Sequence, residues 1–343
     1  MRKIVLFAFM AAMAIPALLA GCNKVGGGGG GSSNDGGGGL DTGGGDALED
    51  GYIAPNLCFD IACGGSHTIA CKPDGTVWTW GRNQFGQLGL NTTDDSLIPK
   101  KVQGLAKVIA VAAGDNHSVA LRDNGSVWTW GANYAGQLGV PIEDFALIPV
   151  QVNLLSKITE IACGANMTLA LAEDGLVYSW GNDWFGDPSS SINSNTPKQI
   201  PNPPPYFFTA ITASAKTFYA LRDDGKLFGW GDVITPPNPL PPTAGLPVYP
   251  PTQINASVPI YSISCGNYFL AVISSGNKLY CRGLNNFGQL GNGTTVNGGF
   301  AELGDMEKTA MVACGNGFTI AVKLDGTFWG WGRNSYGMLL TSA

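Results

Sequence analysis

Beyond residue 52 the chain is written in short apolar runs, each closed by glycine, asparagine, aspartate or proline. Between residues 98 and 130 four runs follow one another: Ile98–Val102, Val108–Ala113, His117–Arg122 and Val127–Trp130. The last alternates strictly, with Trp128 and Trp130 on one side and Val127 and Thr129 on the other, which is the two-residue period of a strand. The middle runs meet at Gly114-Asp115-Asn116 and the final pair at Asn124-Gly125, where glycine can take the positive φ of a tight hairpin. The pattern predicts four antiparallel strands per unit, and no helical period competes with it after residue 50.

The unit recurs six times at a spacing of about fifty residues. The first copy carries Gly64-Gly65-Ser66-His67-Thr68, Asp74-Gly75, Trp78-Thr79-Trp80-Gly81 and Gly86-Gln87-Leu88-Gly89, and the second repeats these from Gly114 to Gly139. The third and fourth keep the hairpin and the Trp-Gly end (Trp180-Gly181, Trp230-Gly231) but lack the Gly-Gln-Leu-Gly segment. The fifth reads Tyr280-Cys281-Arg282-Gly283 and Gly288-Gln289-Leu290-Gly291, the sixth Trp329-Gly330-Trp331-Gly332 and Tyr336-Gly337. Only Trp184 of the tryptophans lies outside the Trp-x-Trp-Gly positions. A fixed period of four-stranded units predicts an all-β propeller of six blades, or seven should one region be degenerate. A proline-bearing outer strand recurs at Pro99–Val102, Pro149–Val152, Pro197–Ile200 and Pro251–Ile254 and has no counterpart after the last repeat. The similar segment Ile53–Leu57 is expected to supply that strand and close the ring.

The composite string G-x-x-H-[ST]-x-A-L-x-x-[DN]-G-x-V-W-x-W-G-x-N-x-x-G-Q-L-G resembles the regulator of chromosome condensation repeat, over about residues 52–343 and most specifically in the first two copies. The resemblance implies a propeller used for protein–protein recognition. It does not carry over the nucleotide-exchange activity of a nuclear member, because no residue here matches that site.

The start of the chain is of another kind. Arg2 and Lys3 precede an apolar run, Ile4 to Ala20, and Leu19-Ala20-Gly21-Cys22 resembles the bacterial lipobox. The expected organisation is a signal peptide over 1–21, a lipidated Cys22 with a glycine-rich tether over 22–51, and the propeller over 52–343. The competing reading is ordinary cleavage nearby with Cys22 unmodified. Asn23 after the cysteine favours, by resemblance, delivery to an outer membrane. The tether holds Gly26–Gly31, Gly36–Gly39 and Gly43–Gly45 and as a flexible coil spans roughly 30 Å. The net charge of −6 with no basic cluster argues against nucleic acid as a partner.

No catalytic set, metal site or cofactor motif emerges. His67 and His117 share one repeat position, which elsewhere holds Met167, Thr217, Phe269 and Phe318, so the position is one of packing. Cys63, Cys163, Cys265 and Cys314 alternate with Ala113 and Ala213, the mark of a small buried residue. Cys58 and Cys71 are the disulfide pair to test. Arg122 and Arg222 share a hairpin position expected to be solvated, as are Asp94-Asp95 and Glu143-Asp144. What varies is the connection after the Trp-x-Trp-Gly strand, and variable loops on a rigid ring carry function. Residues 183–208 contribute Trp184, Phe185, Tyr206, Phe207 and Phe208, and the proline-rich 232–259 contributes Tyr249. These are the candidate partner contacts, the alternative being stiff spacers packed on the blades. The sequence thus leads to a non-catalytic, monomeric, lipid-anchored envelope module that binds a protein or another ligand. A glycan-acting enzyme and a structural lipoprotein are the other readings.

Overall fold

An aspartate or asparagine side chain shapes the hairpin corner in five of the six repeats. Asp74 Oδ1 accepts from the Thr76 backbone N–H and hydroxyl at 2.9 and 2.6 Å, and Asn124, Asp174, Asp224 and Asp325 hold the residue two positions on in the same way. The computed structural model describes residues 60–182, 194–200, 207–231, 248–334 and 339.

Six antiparallel sheets follow the six repeats. Blade one is β1 (Asp60–Cys63), β2 (His67–Cys71), β3 (Val77–Gly81) and β4 (Ser96–Lys101); blade two is β5 (Val108–Ala113), β6 (His117–Arg122), β7 (Val127–Ala132) and β8 (Phe145–Gln151). Blade three comprises β9 (Ile158–Cys163), β10 (Met167–Ala172), β11 (Val177–Gly181) and β12 (Ser194–Gln199). Blade four comprises β13 (Phe208–Ala213), β14 (Thr217–Arg222), β15 (Leu227–Gly231) and β16 (Val248–Ile254). Blade five has β17 (Ile260–Gly266), β18 (Phe269–Ser274), β19 (Leu279–Gly283) and β20 (Gly298–Glu302). Blade six has three described strands, β21 (Thr309–Cys314), β22 (Phe318–Lys323) and β23 (Phe328–Gly332). The segment Ile53–Leu57, expected to complete it, lies outside the described residues. First strands of successive blades pack together, β1 on β5, β5 on β9, β9 on β13, β13 on β17 and β17 on β21. They are therefore the innermost strands of a six-bladed propeller. The outer strands β4, β8 and β12 contain Pro99, Pro149 and Pro197, whose missing N–H discourages pairing with a further strand.

The glycine of Trp-x-Trp-Gly has a specific task. Gly131 sits at φ +99°, and a Cβ there would lie 2.5 Å from the Asn116 carbonyl oxygen. The register between β7 and β8 slips at this point, between Thr129 and Gly131, so the glycine permits the bulge that bends the strand over its neighbour.

The core lies between blades. Trp130, Trp180 and Trp230, at the second aromatic position of β7, β11 and β15, are fully buried, whereas Trp80 and Trp331 at the same position of blades one and six are partly buried. At the first aromatic position Trp78 and Trp128 are half-buried beneath a cation, with Lys72 Nζ 4.0 Å from the ring of Trp78 and the Arg122 guanidinium 5.9 Å from that of Trp128. Arg222 corrects the expectation of a solvated turn. It is buried, donates two hydrogen bonds to Asp224 at 2.9 and 2.7 Å, and lies 4.9 Å over Phe228. Paired and stacked, its guanidinium tolerates burial.

The chain direction gives the disc two faces. The β1–β2 type turns and β3–β4 type connections open on one, the turn face, where Arg82 N donates to Ser66 O. The hairpins and the connections to the next blade open on the other, where Val108 N donates to Gly75 O.

Candidate partner-binding surface

The Gly-Gln-Leu-Gly segment is a blade-to-blade clasp. Asn83, Asn133 and Asn285 accept from the backbone N–H of Leu88, Leu138 and Leu290 at 2.8, 3.0 and 2.9 Å, fixing the turn. Its glutamine carbonyl then faces the next blade. Gln87 O accepts from Trp130 Nε1 at 2.9 Å and Ser118 Oγ at 2.8 Å, and Gln289 O from Trp331 Nε1 at 2.9 Å and Thr319 Oγ1 at 2.8 Å. The leucine carbonyl turns inward, where Leu88 O accepts from Thr79 Oγ1 and Leu138 O from Thr129 Oγ1, both at 2.7 Å. Blade six has the asparagine-to-leucine bond as well, Leu339 N donating to Asn334 Oδ1 at 3.0 Å. Leucine spacing from the asparagine was the available sign of it.

An aromatic residue precedes the clasp and is raised on the turn face. Tyr134 is 51% exposed and Phe287 49%, while Phe85 meets Tyr134 edge-on at 6.1 Å. The Tyr134 hydroxyl donates to Asn166 Oδ1 at 2.9 Å and accepts from Asn116 Nδ2 at 3.4 Å, so it is braced by two neighbouring turns. The Arg333 guanidinium stacks 5.3 Å from Phe287. Half-exposed aromatics held by amides and a cation offer contact area that is already ordered. None of these residues was nominated from sequence, although the aromatic recurs beside the clasp in blades one, two and five.

Of the residues nominated from sequence, Phe207, Phe208 and Tyr249 lie among the described ones. Cys22, Trp184, Phe185 and Tyr206 lie outside the described residues. Phe207 is 53% exposed and stands just before β13, on the hairpin face. Phe208 is a correction. It is 3% exposed and packs edge-on against Phe228 at 5.6 Å, because it opens an innermost strand and points into the core between blades. Tyr249 lies on the outer strand β16.

Buried titratable groups serve the seams. His67 Nε2 pairs with Ser118 Oγ at 2.9 Å and His117 Nε2 with Thr168 Oγ1 at 3.1 Å, each reaching the next blade. Burial lowers their pKa to about 4 and about 3, the neighbouring His67 adding to the effect on His117. Asp60 and Glu160 accept from the backbone N–H of Val111 and Ile211 in the next blade at 2.8 and 3.1 Å. Burial raises their carboxyls to about 6 and about 8 against the opposing amide bonds. Burial also pushes the Cys265 and Cys314 thiols up to about 12, which keeps them protonated and poor nucleophiles. The Cys163 and Cys63 thiols shift in the same direction, although Cys63, expected from sequence to be buried, is exposed because no further described blade covers β1. Cys71 is buried with its thiol on Val108 O at 3.1 Å; Cys58 lies outside the described residues. Among the described residues no three of His, Cys, Asp and Glu are grouped to hold a metal ion.

The family model described as the RCC1-like domain matches residues 30–234, and that of the regulator of chromosome condensation (RCC1) repeat matches 260–289 and 312–337. The ultraviolet-B receptor UVR8 of Arabidopsis thaliana is 60% identical over 43 residues, 12% of this chain and 10% of the receptor. The probable E3 ubiquitin-protein ligase HERC4 of Homo sapiens is 40% identical over 47 residues, 14% of this chain and 4% of the ligase. The match thus spans a tenth or less of either relative. Yeast RCC1 (Prp20), solved bound to Kap60, superposes with a TM-score of 0.69 at 24% identity, covering 83% of this chain and 72% of that one. Prp20p of Saccharomyces cerevisiae, studied for binding to Gsp1p and histones, gives 0.61 at 20% identity over 82% and 83%. Human WBSCR16 gives 0.66 at 21% identity over 75% and 69%. At these identities the likeness establishes the fold.

Proposed function

Because the chain belongs to the regulator of chromosome condensation (RCC1) repeat family, we propose that it is a non-catalytic, lipid-anchored module that binds a protein partner at a bacterial cell envelope. The observation that carries the binding reading is the turn face, where Phe85, Tyr134 and Phe287 stand partly exposed on a scaffold of clasps. Ordered aromatics lose little entropy on docking and dominate many interface cores. Propellers of this fold in yeast meet Kap60, Gsp1p and histones, which supports a protein as the class of partner. The envelope reading rests on the basic start, the apolar run and Leu19-Ala20-Gly21-Cys22. Lipid on Cys22 anchors the chain, since each buried methylene contributes about 0.8 kcal/mol. The glycine-rich tether then sets the propeller roughly 30 Å from the bilayer.

Two measurements test the reading. The full chain, expressed with its own leader, takes up labelled palmitate and fractionates with membranes, and Cys22→Ser loses both. A soluble, unlabelled wild type refutes the anchor. Detergent-solubilised chain captures an envelope protein, and Tyr134→Ala with Phe287→Ala weakens capture at least tenfold; undiminished capture by that variant removes the turn face from the account.

A further inference from the structure

The aromatic before the clasp is treated differently at two equivalent seams. Phe287 of blade five lies beside the guanidinium of Arg333, the residue that follows β23 in blade six. Phe85 of blade one holds the same repeat position, but in blade two the residue after Gly131 is Ala132. No described cation takes the place of Arg333 there, and Phe85 meets Tyr134 edge-on at 6.1 Å instead. Tyr134 remains 51% exposed, and among the described residues no lysine or arginine lies over either ring.

Carboxylates flank this pair. Asp95 Oδ1 accepts from Asn83 N at 2.7 Å, two residues before Phe85, and Asp94 Oδ2 accepts from Thr92 Oγ1 at 3.0 Å. Asp144 O accepts from Asn133 N at 2.6 Å, next to Tyr134, which brings Glu143 and Asp144 to the other ring. The two connections adjoin, since Asn91 N of blade one donates to Leu147 O of blade two at 3.0 Å. All four acidic residues are exposed, and no ion pair among the described residues engages them. Glu173, Asp224 and Glu302, at the hairpin ends of their blades, are each paired with lysine or arginine. Of the cations in blades one and two, Lys72, Lys107 and Arg122 stand at the hairpin face and Lys100 and Lys101 on β4. Arg82 alone stands at the turn face, where it donates to Gln84 Oε1. The turn face over these two blades is thus aromatic and carries uncompensated negative charge.

Resting on the protein-binding reading, we infer that Phe85 and Tyr134, with Asp94, Asp95, Glu143 and Asp144 around them, form a docking site for an arginine in a cationic segment of the protein partner. The incoming guanidinium takes against the ring pair the part that Arg333 takes against Phe287, and the carboxylates accept its N–H groups. The chain itself repeats the pairing, with Arg122, Arg222 and Arg282 set over Trp128, Phe228 and Phe300. Arginine suits this surface better than lysine, because a planar guanidinium stacks on a ring while its donors reach sideways to carboxylates. An anionic segment is repelled by the four charges, and a purely apolar one gains nothing from them.

The test uses the full chain carrying fluorotyrosine and, as probe, the synthetic peptide Gly-Ser-Arg-Gly-Arg-Ser-Gly, blocked at both ends. The Tyr134 fluorine resonance, assigned with Tyr134→Phe, shifts saturably, and the response weakens as salt is raised. The same peptide with citrulline for arginine, alike in shape and uncharged, leaves the resonance unmoved. Asp94→Asn, Asp95→Asn, Glu143→Gln and Asp144→Asn together keep the acceptors that Asn83 and Thr92 use, leave Tm unchanged and weaken the response about tenfold. Equal responses to the two peptides, no saturation by millimolar arginine peptide, or an undiminished response in the folded amide variant overturns the inference. An envelope protein captured equally by wild type and the amide variant, yet lost with Tyr134→Ala and Phe287→Ala, overturns the arginine site while sparing the binding reading. A saturable arginine-peptide response without any captured protein does the reverse.

Discussion

Glu160 shows how a single residue ties stability to pH in this ring. Its carboxyl is buried in an innermost strand and raised from about 4.5 to about 8, so the folded chain holds a proton that the unfolded chain has lost. Between those values the folded state binds more protons, and stability falls as pH rises through the window. Glu160→Gln keeps an acceptor for Ile211 N and removes the titration. Its Tm should therefore gain on wild type between pH 5 and 8.5, by the equivalent of a few kcal/mol at most; parallel Tm curves would disprove the assignment. The histidines act at the other end. Both are lowered, to about 4 and about 3, so the unfolded chain binds protons first and stability is lost as pH falls below about 6.5. His117→Met, which copies Met167 of blade three, should flatten that acid limb, as read by thermal melts from pH 7 to 4.

At the scale of elements, the clasp predicts an unequal response to equal substitutions. Thr129→Ala strips a bonded hydroxyl from Leu138 O and should cost about 1 kcal/mol, whereas Ser179→Ala removes an unbonded one and should be neutral or stabilising. Chemical denaturation of the two variants decides this; equal losses would mean that Ser179 has an acceptor. Phe208→Ala should cost about 3–5 kcal/mol, against less than about 0.5 for Phe207→Ala, because only Phe208 lies in the core. Adjacent aromatics in one proline-rich stretch look alike in sequence. Strand period alone separates them, and it begins only at Phe208, where β13 starts. The blades were legible because Trp-x-Trp-Gly, Asp-Gly and Gly-Gln-Leu-Gly each report a local necessity: an indole between sheets, a tight corner, a clasp. The exposed set of Phe85, Tyr134 and Phe287 was not, since Phe85 and Phe287 share a repeat position that holds Ala135 in blade two, Tyr134 stands one residue earlier, and variable loops drew attention elsewhere. Their exposure follows from the clasp lifting them, a three-dimensional effect that no neighbour in sequence reveals. Arg222 was hidden similarly, its burial depending on Asp224 and Phe228 together.

For the whole molecule, six stacked sheets make a rigid disc whose two faces carry different surfaces. The hairpin face carries charged turns such as Lys72-Pro73-Asp74 beside the exposed Phe207 and Leu154, and the turn face carries Tyr134, braced across neighbouring blades, and Phe287 beside Asp94-Asp95 and Glu143-Asp144. The account joins this asymmetry to a lipid on Cys22 and a soft tether, so that the ring can present its turn face to a partner beside the membrane. The most direct measurement is photocrosslinking in intact cells, with a photoreactive phenylalanine at Tyr134 or Phe287 on the turn face and at Leu154, exposed on the other side of the disc. The account predicts one discrete protein adduct from positions 134 and 287 and none from 154. Adducts from 154 alone, or none from either turn-face position, would contradict it.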